Sequence, residues 1–235
     1  MSQAEQRTKL DLERIIFIGR TFEEYMDMFS LSIEGLRGER ILDCPAGACS
    51  FTAVGSEQGL DVTACDIAYN HSGADLQNKG LRDIDHAMEH MAHVKNHYVW
   101  DYFKDLHGLR KHRMSALTDC ARDMKEFNDR YVPVTLPCLP FKDEEFDIIL
   151  SAHFLFMYAD RLDEDFHQKT IAEFLRVSKK EIRIFPLVDL EGKRYEHLDT
   201  FINCLEDKGC RVEEIKVPYE FQTGANSMLK IIKNC

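Results

Sequence analysis

The sequence is poor in the residues that punctuate extended or repetitive chains, with 12 glycines and 6 prolines in 235 residues. That excludes a collagenous, low-complexity or wholly disordered chain. No apolar run comes near the ~20 residues that span a bilayer. The first twenty residues, MSQAEQRTKLDLERIIFIGR, are charged throughout and lack a signal-peptide core. Cysteines stand at 44, 49, 65, 120, 138, 204, 210 and 235, and no two of them form a Cys-x-x-Cys pair. Neither a zinc ribbon nor a thioredoxin motif fits. A cytoplasmic protein with reduced, mostly core-filling thiols and no membrane partner is expected. Positive charge is also short: 30 basic residues face 41 acidic ones, a formal charge of −11. An acidic surface repels phosphate backbones, which counts against nucleic acid as the main partner.

What is present is ordinary globular composition, 44% apolar and 30% charged. The length predicts a single domain over 1–235, able to bury roughly three quarters of its unfolded surface. Apolar spacing predicts a helix over 21–31, with Thr21 as N-cap and Glu24 three residues on. A short apolar strand, 40–44, leads through PAGAC into a helix over 49–58 closed by Gly59, and a second strand follows at 60–66. Strand, tight turn, helix and strand in this order form a right-handed crossover in a parallel sheet. From about 72 to 128 the chain is polar and helical, with helices expected over 74–95 and 97–127. Strands are then expected at 130–134, 146–154 and 181–188, and helices at 163–178 and 195–208. The strands 211–221 and 227–234 are joined by QTGAN, too short for a helical crossover, and should pair antiparallel. The expected class is α/β: a doubly wound, mostly parallel sheet of five βα units with a C-terminal antiparallel hairpin strand, plus a helical insertion between strands 2 and 3. Such sheets bind ligands at the carboxyl ends of their strands, here 43–49, 66–71, 134–141 and 151–158.

LDCPAGACSF (42–51) is the most informative stretch. Asp43 ends a strand, Gly47 lies in the turn, and the following helix directs free N–H groups at that turn. Asp66 ends the next strand, where a carboxylate can accept hydrogen bonds from a ribose diol. Two nucleotide readings compete. A dinucleotide fingerprint would have to place its glycines on Pro45, Gly47 and Ser50, and Asp43 would then face a pyrophosphate. A ligand with an amino-acid group and no phosphate makes Asp43 favourable, and S-adenosylmethionine carries such a cation beside a ribose. A third possibility is that Asp43 caps the helix and Asp66 is a turn residue.

These passages resemble the class I S-adenosylmethionine-dependent methyltransferases. LDCPAGACSF is similar to their glycine-rich first motif, and VTACDIAY (62–69) to their second, with Asp66 as the ribose-binding acid. LPCLPFKDEEFDIILSAHFLF (136–156) is similar to the passage leading into their fourth strand, and the terminal hairpin to their antiparallel seventh. The resemblance covers about 20–66 and 131–235. It implies S-adenosylmethionine as cofactor, held by Asp43, Pro45, Ala46, Gly47, Asp66, Ile67, Thr135, Leu136 and Ser151. Arg20 and Tyr25 would fold over it, Arg20 pairing with the methionine carboxylate. It further implies in-line displacement at the sulfonium methyl, toward a small molecule or a protein side chain. Pro45 and Cys49 replace two of the usual glycines, and the third strand lacks the usual acid beside adenine. SAHF (151–154) stands where enzymes that methylate exocyclic amines of nucleobases carry Asn/Asp-Pro-Pro-Tyr.

His153, just past the fourth strand, is by position the candidate general base. Tyr158 and, from the insertion, Trp100 are candidates to line a substrate pocket. His86, His90, His93 and His97 share one helical face, a spacing that can chelate a metal or simply form a polar face. No metal is assigned, and a lid or substrate-selecting cap is the expected role of the insertion. Two other readings stay open: an NAD(P)-dependent Rossmann oxidoreductase, and a methyltransferase-like binding protein without turnover. The acceptor and the oligomeric state are not given by the sequence.

Overall fold

The structure is a computed structural model that describes residues 16–233. Expectations for the first fifteen and last two residues lie outside it. Seven strands form one sheet: β1 (Arg40–Asp43), β2 (Asp61–Asp66), β3 (Tyr131–Pro133), β4 (Phe146–Ala152), β5 (Ser178–Phe185), β6 (Arg211–Lys216) and β7 (Ser227–Ile232). Their order is β3-β2-β1-β4-β5-β7-β6. The first five are mutually parallel, while β7 runs antiparallel to both β5 and β6. The apolar run of β4, FDIILSA, is buried along nearly its whole length, as a parallel strand covered on both faces must be. Strand order reverses between β1 and β4, which opens a crevice above Asp43 and Ala152.

Helices α1 (Phe22–Met28), α2 (Ile33–Leu36), α3 (Phe51–Glu57), α4 (Gly73–His93), α5 (Leu106–Glu126), α6 (Glu164–Val177) and α7 (Leu198–Asp207) flank the sheet. One core cluster packs Tyr25, Phe29 and Phe51 against Phe185 and Tyr219. Another gathers Phe146, Ile149 and Ile182 with Phe156 and Phe174. The expected cap of α1 is present: the Thr21 hydroxyl accepts the Glu24 N–H, and the Glu24 carboxylate accepts the Thr21 N–H at 2.9 Å.

Four expectations are corrected. The second insertion helix starts at Leu106, not 97, because the Asp105 carboxylate caps it by accepting the Gly108 N–H at 2.7 Å. Residues 98–104 instead form an aromatic connector laid along the β6–β7 loop, with the Val99 N–H on the Phe221 carbonyl at 2.7 Å and the Thr223 N–H on the His97 carbonyl at 3.1 Å. Strand β6 stops at Lys216 rather than 221, since Pro218 has no N–H to continue a ladder. Strand β5 begins at Ser178, three residues earlier than its apolar run. The stretch 134–145 holds no helix, so the five βα units reduce to four; Pro137 and Pro140 both oppose helix there.

Candidate active site

The site begins with the carboxyl ends of β1 and β2. Beyond β1 the chain turns sharply, and the Ala46 N–H meets the Cys65 carbonyl at 3.0 Å. Gly47 adopts φ +55°, a conformation that favours glycine. Its N–H donates to Asp66 Oδ2 at 3.0 Å, and its carbonyl accepts the Tyr69 hydroxyl at 2.8 Å. The other Asp66 oxygen accepts the Ala68 N–H at 2.8 Å. Asp66 thus ties the two strand ends together and, largely buried, still lines the crevice.

Residues 16–20 cross above this turn as a strap. The Phe17 N–H donates to Asp83 of α4 at 2.8 Å, the Ser50 N–H to the Arg20 carbonyl at 3.0 Å, and the Arg20 N–H to Cys49 Sγ at 3.2 Å. The approach is so close that a Cβ at Gly19 would run into the Ala48 carbonyl.

Strap, turn, insertion and the loops after β4 and β5 line a cleft. It brings together seven of the expected residues: Arg20, Pro45, Ala46, Gly47, Asp66, His153 and Tyr158. Seven others lie elsewhere. Asp43 is fully buried beneath the turn and Tyr25 is buried beside it; the Tyr25 hydroxyl donates to Asp43 at 2.9 Å and its ring stacks on Phe51 at 4.9 Å. Tyr25 therefore underlies the crevice rather than folding over a ligand. Ile67 is 60% exposed next to Asp66, and Thr135 and Leu136 follow β3 without reaching the cleft. Ser151 is buried in β4. Trp100 faces away: its indole N–H donates to the Lys95 carbonyl at 3.0 Å and its ring meets the edge of Phe221. It lines a separate shallow pocket with Lys95 and Lys104.

Sequence reasoning missed Arg113, Met157, Leu190 and Phe221, all of which line the cleft. Arg113 had a signal. It occupies the buried stripe of α5 with Leu109, Ala116, Leu117 and Cys120, where a cation demands a partner. That partner is Glu24, at 2.6 Å, which also accepts the Tyr219 hydroxyl at 2.8 Å. Burial pushes the Glu24 carboxyl upward, but the guanidinium and its hydrogen bond outweigh burial and bring it below its ordinary value.

Burial pushes the Asp43 carboxyl up to about 8, with the Tyr25 hydroxyl opposing and the Asp66 charge adding. Asp66 is also raised by burial, against its two backbone hydrogen bonds. His153 stands at φ +52°, strained for a residue with a side chain. Its imidazole is driven well below the usual histidine range by burial and by the charges of Arg20 and Arg113. Several polar atoms at and beneath the cleft are buried without a partner among the described residues: Asp43 Oδ2, Arg20 Nε and His153 Nδ1.

In the insertion the His86 and His90 rings stand 4.3 Å apart. Among the described residues no three His, Cys, Asp or Glu side chains gather to hold a metal ion. None of the described helices is long and apolar enough to cross a membrane.

The sheet order and the antiparallel β7 are those of the class I methyltransferase fold, with a cleft over the switch point. The chain belongs to the family of the uncharacterized protein MJ0045 of Methanocaldococcus jannaschii, with which it is 37% identical over 223 residues, 94% of this chain and 98% of that one. No family model matches it. Among solved structures it is similar to magnesium protoporphyrin IX methyltransferase from Synechocystis PCC 6803 with bound S-adenosylhomocysteine, at 13% identity over 86% of this chain and 76% of that one, TM-score 0.47. It is also similar to a SAM-dependent methyltransferase from Aquifex aeolicus, at 15% identity over 89% and 91% of the two chains, TM-score 0.43.

Proposed function

We propose that the protein is an S-adenosylmethionine-dependent methyltransferase acting on a small molecule. The observation that carries this reading is the Asp66 carboxylate, fixed by two backbone N–H groups at the lip of a glycine turn and still open to the cleft. A carboxylate has about four acceptor sites, so two remain for a ribose diol. Arg20, with Nε buried and unpartnered among the described residues of the cleft wall, would pair with the methionine carboxylate of the cofactor. Ile67, exposed beside Asp66, offers adenine an apolar face.

The bound cofactor would supply an electrophilic methyl group. The residues of this chain do the rest. The strap and the insertion would limit water at the cleft, its walls would orient the acceptor, and His153, which lines it, would contact the acceptor. Missing glycines at Pro45 and Ser50 and the antiparallel β7 speak against a nicotinamide cofactor. Calorimetric titration of the full, cofactor-stripped chain with S-adenosylhomocysteine, NAD and NADP tests the reading. Saturable binding of S-adenosylhomocysteine alone is expected. Binding of only a nicotinamide cofactor, or of none of the three, overturns it.

A further inference from the structure

Residues 16–20 of the strap alternate in burial. Ile16, Ile18 and Arg20 are half-buried and line the cleft, whereas Phe17 and Gly19 are buried. That period of two is the mark of an extended segment. Among the described residues the strap pairs with no strand of the sheet, so its backbone donors need partners elsewhere. The Arg20 N–H finds Cys49 Sγ on the turn. The Phe17 N–H finds Asp83 Oδ2 on α4 at 2.8 Å. The strap is therefore held by the glycine turn at one end and by the insertion at the other.

Asp83 is out of keeping with its surroundings. The buried stripe of α4 is Leu76, Gly80, Asp83, Ile84, Ala87 and Met91, and Asp83 alone in it is charged. Its side chain is fully buried, and Phe17 packs in one cluster with Leu76, Ile84 and Leu117. A carboxylate taken out of water there is costly unless it is paired. Lys79, one turn earlier, forms an ion pair with the same oxygen. A leucine would fill the stripe with no charge to neutralise, but it could not accept the Phe17 N–H. One turn further along, the same helix supplies Ala87, Met88 and Met91 to the cleft wall. The bond at Asp83 thus fixes the strap directly to the helix that builds this wall.

Resting on the reading of the cleft as a cofactor site, we infer that Asp83 is a positioning residue whose carboxylate latches the strap to the insertion and so holds Arg20 and Ile18 at the cleft. Asp83 does not itself line the cleft; it acts through the Phe17 backbone. Without an acceptor at this position the Phe17 N–H is left buried and unsatisfied. The strap then lifts toward water, and Arg20 leaves its place with it.

The test compares the full-length parent with two variants. Asp83→Asn keeps a carbonyl acceptor for Phe17 and loses the charge shared with Lys79; Asp83→Leu loses both. Hydrogen–deuterium exchange without ligand reads the strap, and peptides from β4 and β5 read global stability. Calorimetric titration with S-adenosylhomocysteine reads the cleft. In Asp83→Leu the strap amides should exchange at least about tenfold faster while β4 and β5 stay protected, and S-adenosylhomocysteine should bind about tenfold more weakly, the effect of one hydrogen bond to a charged group. Asp83→Asn should recover most of both losses. The parent gives a reading that needs no variant to fold: its Phe17 amide should be protected. Free exchange at that amide overturns the inference. So does unchanged strap exchange in Asp83→Leu, equal acceleration in β4 and β5, or a loss in Asp83→Asn as large as in Asp83→Leu, which would place the requirement in the Lys79 pair. Failure of the parent to bind S-adenosylhomocysteine overturns the methyltransferase reading instead, and exchange at Phe17 still decides the latch.

Discussion

Glu24 and Arg113 lie 89 residues apart in the chain and meet at 2.6 Å with both side chains buried. The pair fastens α1 to the insertion, and the Tyr219 hydroxyl adds the β6–β7 loop to the same carboxylate. Removing one member leaves a buried charge unpaired, which costs about 3–5 kcal/mol. Arg113→Ala should therefore lower stability by that order in urea denaturation. The double variant Glu24→Gln, Arg113→Met should recover much of the loss, because neither orphaned charge remains.

Asp66→Ala should weaken S-adenosylhomocysteine binding by about 1.5–3 kcal/mol, the range for a hydrogen bond to a charged group. Asp66→Asn, which keeps an acceptor for Gly47 or Ala68, should lose less. Calorimetry on the two variants checks the order; unchanged affinity in both would remove Asp66 from the ribose.

Gly19→Ala forces a Cβ into the Ala48 carbonyl, so the strap must lift from the turn. The expected result is a lower melting temperature together with weaker S-adenosylhomocysteine binding. Gly209→Ala is the comparison: Gly209 stands at φ +85°, but its Cβ would meet nothing within 4 Å, so stability alone should fall.

Asp43 ties stability to pH. In the unfolded chain its proton leaves near the ordinary aspartate value of about 4; in the folded protein it leaves only at about 8. Between these values the folded state holds more protons than the unfolded one, so this group's contribution falls as pH rises. Asp43→Asn should gain stability relative to the parent as pH is raised from about 4 to about 8, measured by chemical denaturation at each pH.

The sheet was legible because its signals are local. Each β-strand through β5 is an apolar run with a turn at its end, and the antiparallel pair followed from a connection too short for a helix. The positions of Gly47 in the turn after β1 and of Asp66 at the end of β2 were legible for the same reason, but the hydrogen bond between them was not. The far wall was not. Met157, Leu190 and Phe221 carry no motif and reach the cleft only through the packing of loops distant in sequence. Trp100 misled because an aromatic residue in a polar insertion reads as a pocket lining, whereas its ring closes on Phe221 from the outer side. Tyr25 misled because position near the N-terminus says nothing about which side of the turn a side chain takes, and its hydroxyl turns down to Asp43.

The connector at 98–104 lies along the β6–β7 loop and backs the cleft residue Phe221 from more than a hundred residues away in the chain. Contacts of such separation are slow to form, because a long loop must close before they return any stabilisation. Phe221, which lines the cleft, sits in the loop between β6 and β7, so the pairing of β7 with β5 and β6 and the shaping of this wall are coupled: a substitution that loosens β7 should be felt at the cleft.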